Sequence, residues 1–145
     1  MHHNHSANRC VMIDCDVGDA LAFVREVANL PAWTFFFRNA INRQDDRIRF
    51  DTPLGECLTR IRTKQGTDWA AARIHSRFES GEDSALLHFT RNNTGQTLAS
   101  FYATFPPALP EKRRAGVLDQ IERELFRLKA ILERMHAAKT TGMIV

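Results

Sequence analysis

The sequence predicts an α+β domain in which a seven-stranded antiparallel sheet, with two short helices after its first strand, wraps around a long C-terminal helix. Three observations indicate this class. Stretches of alternating apolar and polar residues, separated by turn sequences, run from about residue 40 to residue 105. Prolines at 106, 107 and 110 then interrupt the chain, and one long helical pattern follows them. Strands followed by a helix, without regular alternation of the two, are typical of α+β folds.

Length and composition favour one domain. A chain of 145 residues with 43% hydrophobic and 26% charged residues can bury a sizeable core. We expect a disordered N-terminal tail over residues 1–8, a single domain over 9–137 and a frayed C-terminal tail over 138–145. No apolar run approaches the roughly 18–20 residues of a membrane span, and the N-terminus lacks the pattern of a secretory signal. These features predict a cytoplasmic protein without a transmembrane segment.

The cysteines and the net charge give weaker indications. Cys10, Cys15 and Cys57 are odd in number and have no CxxC spacing, so we expect buried, reduced thiols. Twenty basic and seventeen acidic residues give a net charge of +3, with the signs mixed along most of the chain. This balance argues only weakly for binding to a polyanion.

The first elements follow from short patterns. The apolar run over residues 9–15 is long enough for a strand and too short for a helix. Asp16 and Asp19 resemble a capping pair, and apolar residues at helical spacing follow until about Asn29, where Pro31 ends the helix. Pro31 also suits the first turn of a second helix.

The second predicted helix is apolar on nearly every side. It contains four aromatic residues, namely Trp33, Phe35, Phe36 and Phe37. Such a helix has to be covered on most of its surface. We expect these rings to wall the opening between the sheet and the C-terminal helix.

Turn sequences near residues 45, 53, 66, 81 and 94 divide the next region into six strands, and hairpin-length connections favour an antiparallel meander. Side-chain alternation assigns one set of residues to the inner face of these strands. This set comprises Ile48, Phe50, Cys57, Thr59, Ile61, Ala70, Ala72, Ile74, Ser76, Phe78, Leu87, Phe89, Ala99, Phe101, Ala103 and Phe105.

The C-terminal helix carries an apolar stripe. Its members, spaced alternately three and four residues apart, are Leu118, Ile121, Leu125, Leu128, Leu132 and Met135. The stripe is shorter than the three to four heptads of a typical coiled coil, so we expect it to pack on the chain's own sheet. Pairing with another helix remains the alternative.

Small residues on the inner face predict a cavity. The middle of this face carries alanines together with Thr59 and Ser76, which are small. Close packing of a sheet against a helix needs bulky residues there, so these side chains leave space unfilled. The aromatic helix, a close approach of the C-terminal helix or a ligand can fill that space. A solid core completed by the aromatic residues is the competing interpretation.

Three segments resemble one superfamily. "ALAFVREVANLPAW" (residues 20–33) is similar to its first helix and the Leu-Pro-x-Trp start of its second, and "RFDTPLGE" (49–56) to its third-to-fourth-strand hairpin. Residues 100–133, from "SFYATFPPALP" into the helix, resemble its last strand, proline break and terminal helix. This is the helix-grip fold of the START and birch-pollen-allergen group, also called SRPBCC or the polyketide cyclase/dehydrase and lipid-transport group. The resemblance covers residues 9–135.

The resemblance implies architecture more than activity. Members of the superfamily range from carriers of sterols, lipids and plant hormones to ring-closing cyclases and chaperone-activating domains. No catalytic triad is common to the superfamily, so none can be carried over.

Candidate catalytic groups are few. An enzyme would need polar groups inside the cavity, but Arg73, His75, His88 and Tyr102 all fall on the outer parity. His75 is a weak catalytic candidate that would need a bulge to face inward. Phosphate-loop, nucleophile-elbow and zinc-protease motifs are absent from the sequence, and we expect no cofactor. We expect no metal site either, because the histidines at positions 2, 3 and 5 lie in a flexible tail.

The outer face collects basic side chains at every second position of their strands. They are Arg47, Arg49, Arg60, Arg62, Lys64, Arg73 and Arg77. This pattern permits an anion-binding surface or a solvated face balanced by Asp46, Asp51 and Glu56. Nucleic acid is an unlikely partner on this reading, since no stacking aromatic residues are interleaved with the arginines. Apolar residues of the same parity, including Leu58 and Leu86, leave a homodimer possible.

The leading hypothesis is that the protein binds a hydrophobic small molecule, lipid-like or polycyclic, between its sheet and C-terminal helix. The alternatives are a cyclase or dehydratase that uses the same cavity and an anion-binding module that uses the arginine face. The predicted ligand-binding residues are Trp33, Phe36, Phe37, Phe50, Thr59, Ile74, Ser76, Phe89, Phe101, Ile121 and Leu125.

Overall fold

The sheet has the predicted seven antiparallel strands. A computed structural model describes residues 6–104 and 110–141. The strands lie in the order β1-β7-β6-β5-β4-β3-β2, so that each pairs with its neighbour in sequence except β1, which pairs with β7. Their bounds are β1 Ser6–Ile13, β2 Ala40–Gln44, β3 Arg47–Thr52, β4 Gly55–Gln65, β5 Trp69–Phe78, β6 Gly81–Arg91 and β7 Thr97–Thr104. The helices are α1 Val17–Val24, α2 Leu30–Trp33 and α3 Glu111–Thr140.

The hairpin turns follow the local sequence. Gly55 has a φ of 104° in the turn between β3 and β4, in the left-handed region where a side chain would be strained. Asp45 has a φ of 58° in the turn between β2 and β3, and aspartate is among the residues that tolerate this conformation. The meander therefore forms where the turn sequences predicted it.

Burial alternates along the strands as the sequence pattern predicted. In β5, Ala70, Ala72, Ile74 and Ser76 are buried, and the residues between them are not. Inner-face residues of β3, β4, β6 and β7 belong to the same core. The helices α1 and α2 also contribute side chains to it. Phe105, predicted to end the inner row of the last strand, lies outside the described residues.

The two predicted helices after β1 are shorter than expected. Asp16 occupies the N-cap position of α1 without a capping bond from its side chain, and α1 ends at Val24. A single 3-10 turn, Val27–Asn29, connects α1 to α2. The prediction of one continuous helix from residue 16 to about Asn29 was therefore wrong near its end.

The assignment of Phe35, Phe36 and Phe37 to the second helix was also wrong. The chain leaves α2 at Thr34, whose φ of −103° and ψ of 159° are extended. The Thr34 hydroxyl donates to the Leu30 carbonyl at 2.8 Å and accepts from the Phe37 N–H at 3.2 Å. These local bonds compete with continuation of the helix, a known effect of threonine.

The long helix packs on the chain's own sheet, as predicted. The buried stripe of α3 contains Ile121, Leu125, Leu128 and Leu132. Its principal partner among the strands is β1. Lys129 Nζ donates to the Met12 carbonyl at 2.7 Å, and the Asp14 N–H donates to Glu133 at 2.9 Å. These polar contacts position α3 along β1.

The ends of these elements extend beyond the predicted domain bounds. β1 begins at Ser6 rather than Arg9, and α3 continues to Thr140 rather than ending near residue 137. Across residues 6–104 and 110–141, no helix combines the length and the apolar character that a membrane crossing requires.

The cysteines differ in burial. Cys15 and Cys57 are buried as predicted, but Cys10 is exposed because it lies on the outer face of β1 opposite Ser100. The prediction of three buried thiols was wrong for Cys10. Burial raises the pKa of Cys15 to about 11, which keeps this thiol protonated at neutral pH.

Truncation of the α3 stripe tests its role in packing. Leu128→Ala should lower the free energy of unfolding by about 2–5 kcal/mol, because a fully buried side chain is lost. Phe126→Ala is the matched control on the same helix, where the ring is 53% exposed, and should change stability by no more than about 0.5 kcal/mol. Urea denaturation measures both; equal losses would contradict the packing of this stripe.

Candidate functional site

The predicted ligand-binding residues lie in the interior. All of them are buried except Phe36, which is half-buried. The apolar members belong to the core cluster shared by the sheet, α2 and α3, or pack directly against it. Inner-face parity therefore identified a set of interior residues from the sequence alone.

Aromatic residues of α2 and of the segment after it pack on two parts of the inner face. Phe37 packs edge-on against Phe50 at 5.3 Å between ring centroids, and Phe36 packs against Phe78 at 6.1 Å. Trp33 lies 5.9 Å from Phe101 on β7. The aromatic segment, residues 34–37, thus covers the β3–β5 end of the inner face, while Trp33 covers β7.

The two predicted hydroxyl groups form a buried pair. Thr59 Oγ1 and Ser76 Oγ are 2.8 Å apart on directly opposite positions of β4 and β5. The Cys57 thiol lies 3.3 Å from Thr59 Oγ1. Cys57 is paired with Phe50 and Phe78, the two rings that the aromatic segment contacts.

Glu124 connects the aromatic segment to α3, and the sequence analysis did not identify it. The residue is only 3% exposed, and its carboxylate accepts hydrogen bonds from the Phe35 N–H at 2.7 Å and the Phe36 N–H at 3.3 Å. Burial raises the pKa of Glu124, and the two backbone donors oppose that effect. A glutamate among the apolar positions of the α3 stripe is the signal that could have revealed it.

Asp83 is a second polar group that the sequence analysis missed. It lies directly opposite Ser76, so its side chain belongs to the inner face of β6. Desolvation of the carboxyl raises the pKa of Asp83, although the residue as a whole is exposed. The alternation of Asp83, Ala85, Leu87 and Phe89 along the strand could have revealed it.

Trp33 leaves one polar atom without a partner. The residue is fully buried, and within the described residues its indole Nε1–H makes no hydrogen bond. A buried donor without an acceptor costs about 1–3 kcal/mol. The interior therefore contains one strong donor that the described protein groups do not satisfy.

The four principal pockets of the described residues lie outside the space between the sheet and α3 where the cavity was predicted. A groove of about 330 Å³ lies between α1 and α3, and its lining includes Phe23, Leu132 and His136. Other pockets lie on the outer face of the sheet or at turns. α1 packs against β6 and against β5, which carries Ala70 and Ala72, and so takes part of the space that the sequence left open.

Some inward apolar residues nevertheless remain partly accessible. They are Phe36, Ile61, Phe78, Ala85, Ala103 and Val117, all packed against the core. The small side chains of Ala85 and Ala103 are directly opposite each other on β6 and β7. We call the set formed by Phe36, Phe78, Ala85, Ala103 and Val117 the inner rim.

His75 lies on the outer face, where its parity placed it. It is opposite Arg60 and Ser84, and its Nε2 lies 3.5 Å from Glu82. No bulge turns it toward the interior: the register of β5 with both neighbours is continuous. The weak catalytic candidate is therefore not positioned to act in the interior.

One group of possible metal ligands lies where α1 meets α3. Asp16, Asp19 and His136 bring ligand atoms within 4.8 Å of one another. Lys139 Nζ lies 3.2 Å from Asp19 Oδ2 and already neutralises that carboxylate. We therefore assign Asp19 an ion-pairing role between the two helices.

Comparison with solved structures identifies the fold. A hypothetical protein from Helicobacter pylori superposes with a TM-score of 0.71 at 12% identity, covering 89% of this chain and 88% of that one. A START superfamily protein from Mycobacterium smegmatis superposes with a TM-score of 0.63 at 12% identity, covering 90% and 99%. This chain has the helix-grip fold of the START superfamily. No protein-family model and no curated protein matches its sequence.

A third similar structure contains two domains. It is the di-domain ARO/CYC BexL from the BE-7585A biosynthetic pathway, with a TM-score of 0.63 and 15% identity. The match covers 86% of this chain and 45% of BexL. At these identities the helix-grip architecture is shared, and activity does not follow from it.

The raised pKa of Glu124 predicts a pH dependence of stability. Its ordinary value is 4.5, and the folded value is higher, so the folded protein binds this proton more tightly than the unfolded chain. The contribution of Glu124 is therefore fully present below about pH 4.5 and is lost as pH rises through the folded pKa.

Urea denaturation of wild type and Glu124→Gln between about pH 4 and pH 8 isolates this effect. The stability of wild type relative to the variant should fall as pH rises, because the variant carries no titrating group at this position. A relative stability that rises with pH would show that the two backbone donors outweigh burial.

Proposed function

We propose that this protein binds a hydrophobic small molecule, lipid-like or polycyclic, that carries a carbonyl or hydroxyl oxygen. The unpartnered, fully buried Nε1–H of Trp33 is the observation that carries this proposal. A ligand oxygen placed beside the indole would satisfy the donor and recover part of its desolvation cost. An apolar wall with one hydrogen-bond donor therefore favours an apolar ligand that carries an acceptor oxygen.

Apolar contact supplies most of the affinity. Burial of apolar ligand surface contributes about 25 cal/mol per Å². The partly accessible ring of Phe36 offers such surface, and the buried rings of Trp33 and Phe101 line the interior behind it. The predicted residues Phe37, Phe50, Ile74, Phe89, Ile121 and Leu125 complete the apolar wall. Thr59 and Ser76 orient polar atoms of the ligand.

The aromatic segment is the proposed way in. Phe35 is 43% exposed, with the Arg127 guanidinium 4.7 Å from the centre of its ring, and Phe36 is half-buried at the inner rim. The backbone of these two residues is attached to α3 through the Glu124 carboxylate. Movement of this segment away from α3 opens the inner rim without disturbing the sheet.

The fold is consistent with this proposal. Neighbours that share it include a protein named for the START superfamily and an ARO/CYC from a biosynthetic pathway. The resemblance in sequence implied this architecture, and the small residues of the inner face led to the ligand hypothesis.

Filling the inner rim tests the proposal. Ala103→Leu adds bulk at the inner rim and should weaken binding of the neutral probe N-phenyl-1-naphthylamine at least tenfold. Ala71→Leu makes the same change on the outer face of β5 and should leave binding unchanged. Fluorescence titration measures both, with thermal unfolding as a check on folding. Equal affinities for wild type and both variants would place the probe elsewhere.

Native mass spectrometry of protein purified without detergent tests the donor. A co-purifying hydrophobic molecule should contain oxygen, and Trp33→Phe should retain less of it than wild type because the N–H is lost. Phe101→Leu, which reduces aromatic area and keeps the donor, should retain more than Trp33→Phe. Retention of an oxygen-free hydrocarbon by all three would contradict a role for the indole.

A cyclase or dehydratase activity is the second candidate, and the inner-face carboxyl of Asp83 favours it. Desolvation raises the pKa of Asp83, and a carboxyl in the position opposite Ser76 can donate or accept a proton in such a reaction. Asp83→Asn should then abolish turnover of a poly-carbonyl substrate while leaving its binding intact. His75→Ala should have no effect, because His75 faces outward. Binding without turnover in wild type would exclude this activity for the substrate used.

A further inference from the structure

The outer face of β4 and β5 carries an uncompensated group of cations. Arg62 and Arg73 are directly opposite each other across the two strands, and Arg60 is opposite His75. Lys64 lies in the next row, opposite Ala71. Like charges in directly opposite positions destabilise a sheet, so this arrangement has a cost in the isolated protein. We call Arg60, Arg62, Lys64 and Arg73 the basic face.

The acidic residues nearest this surface have other partners: Asp46 lies 4.0 Å from Arg47, and Asp68, in the turn between β4 and β5, lies 4.0 Å from Arg91. Asp51 and Glu56 are paired beside the turn between β3 and β4, and Glu82 contacts Arg77 and His75 at 3.7 and 3.5 Å. Within residues 6–104 and 110–141, none of the four members of the basic face forms an ion pair. Their charges are therefore available to an external anion.

Exposed aromatic rings share this face. Trp69 is the first residue of β5, two positions before Ala71, and is 39% exposed; its ring stacks on His88 at 6.2 Å with an interplanar angle of 13°. Tyr102 is 40% exposed and lies in the same row as Arg73, with Leu86 between them. The sequence alone did not reveal this proximity, because the rings come from different strands than most of the arginines.

We propose that the basic face and these rings bind single-stranded nucleic acid. Arginine and lysine contact the phosphates, and Trp69 and Tyr102 stack on unpaired bases, the combination that single-strand binding surfaces use. Rows of the sheet repeat about every 6.7 Å along β4 and β5, which suits an extended backbone. This proposal revises the sequence-based expectation that nucleic acid is an unlikely partner. The proposed nucleic-acid site does not depend on the ligand proposed for the interior.

A duplex or an acidic membrane fits the face less well. Paired bases in a duplex are stacked on one another and cannot use the exposed rings. A membrane of acidic lipids would use the cations and would give no role to stacking. Binding of a single strand should therefore depend on Trp69, whereas binding of a duplex or a membrane should not.

Fluorescence anisotropy with labelled twelve-residue oligo-dT and oligo-U tests the proposal. Both should bind at 50 mM salt, and the affinity should fall about 50-fold by 200 mM if four phosphates are contacted. Arg62→Gln/Arg73→Gln should weaken binding at least tenfold; it removes like-charge repulsion within the sheet, so folding is retained. Arg25→Gln/Arg134→Gln is the control, since it makes the same change in net charge at exposed arginines of α1's C-terminus and α3.

Stacking has its own measurement. The chain contains two tryptophans, so in a Trp33→Phe background the emission comes from Trp69 alone. A bound oligonucleotide should quench this emission, and Trp69→Ala should weaken binding several-fold. Equal losses in the two arginine double variants would assign the binding to net charge and overturn the proposal. So would tighter binding to duplex DNA or to phosphatidylserine vesicles, or no binding at 50 mM salt.

Discussion

Side chains alternate between the two faces of the seven-stranded sheet, and this constraint shapes every surface of the molecule. The register of β4 and β5 places Thr59 opposite Ser76 on the inner face and, one row further along, Arg60 opposite His75 on the outer face. A shift of one residue would bury the arginines and expose the hydroxyls. The core beneath α3 and the cationic outer face are therefore two results of one hydrogen-bond register.

The interior combines this core with a small number of buried polar groups. Glu124 joins α3 to the backbone of Phe35 across 89 residues of sequence, and the residue is buried. Buried polar groups are tolerated when their hydrogen bonds are satisfied. Glu124 meets this condition through two backbone donors, whereas the described residues leave the indole N–H of Trp33 without an acceptor. This contrast separates a group that holds the fold together from one that is free to meet a ligand.

The two proposed sites use opposite faces of the sheet and different physical effects. Inside, apolar contact and one donor favour a neutral, oxygen-bearing molecule, and the affinity should depend little on salt. Outside, exposed cations and rings favour an extended anion, and screening weakens such contacts. Because the two surfaces use different side chains of the same strands, substitutions on one face leave the side chains of the other face in place.

Periodicity in the sequence determined the number of strands, their inner and outer residues and the apolar stripe of α3, because these follow from repeats of two and 3.6 residues. It identified the buried set around Phe50, Ser76 and Leu125. Tertiary structure decided the rest. Thr34 ends α2 through its own hydroxyl, Glu124 finds its partners on a distant segment, and Trp69 meets His88 across β5 and β6. Such contacts join residues that no local repeat connects, so they depend on how the chain folds back on itself.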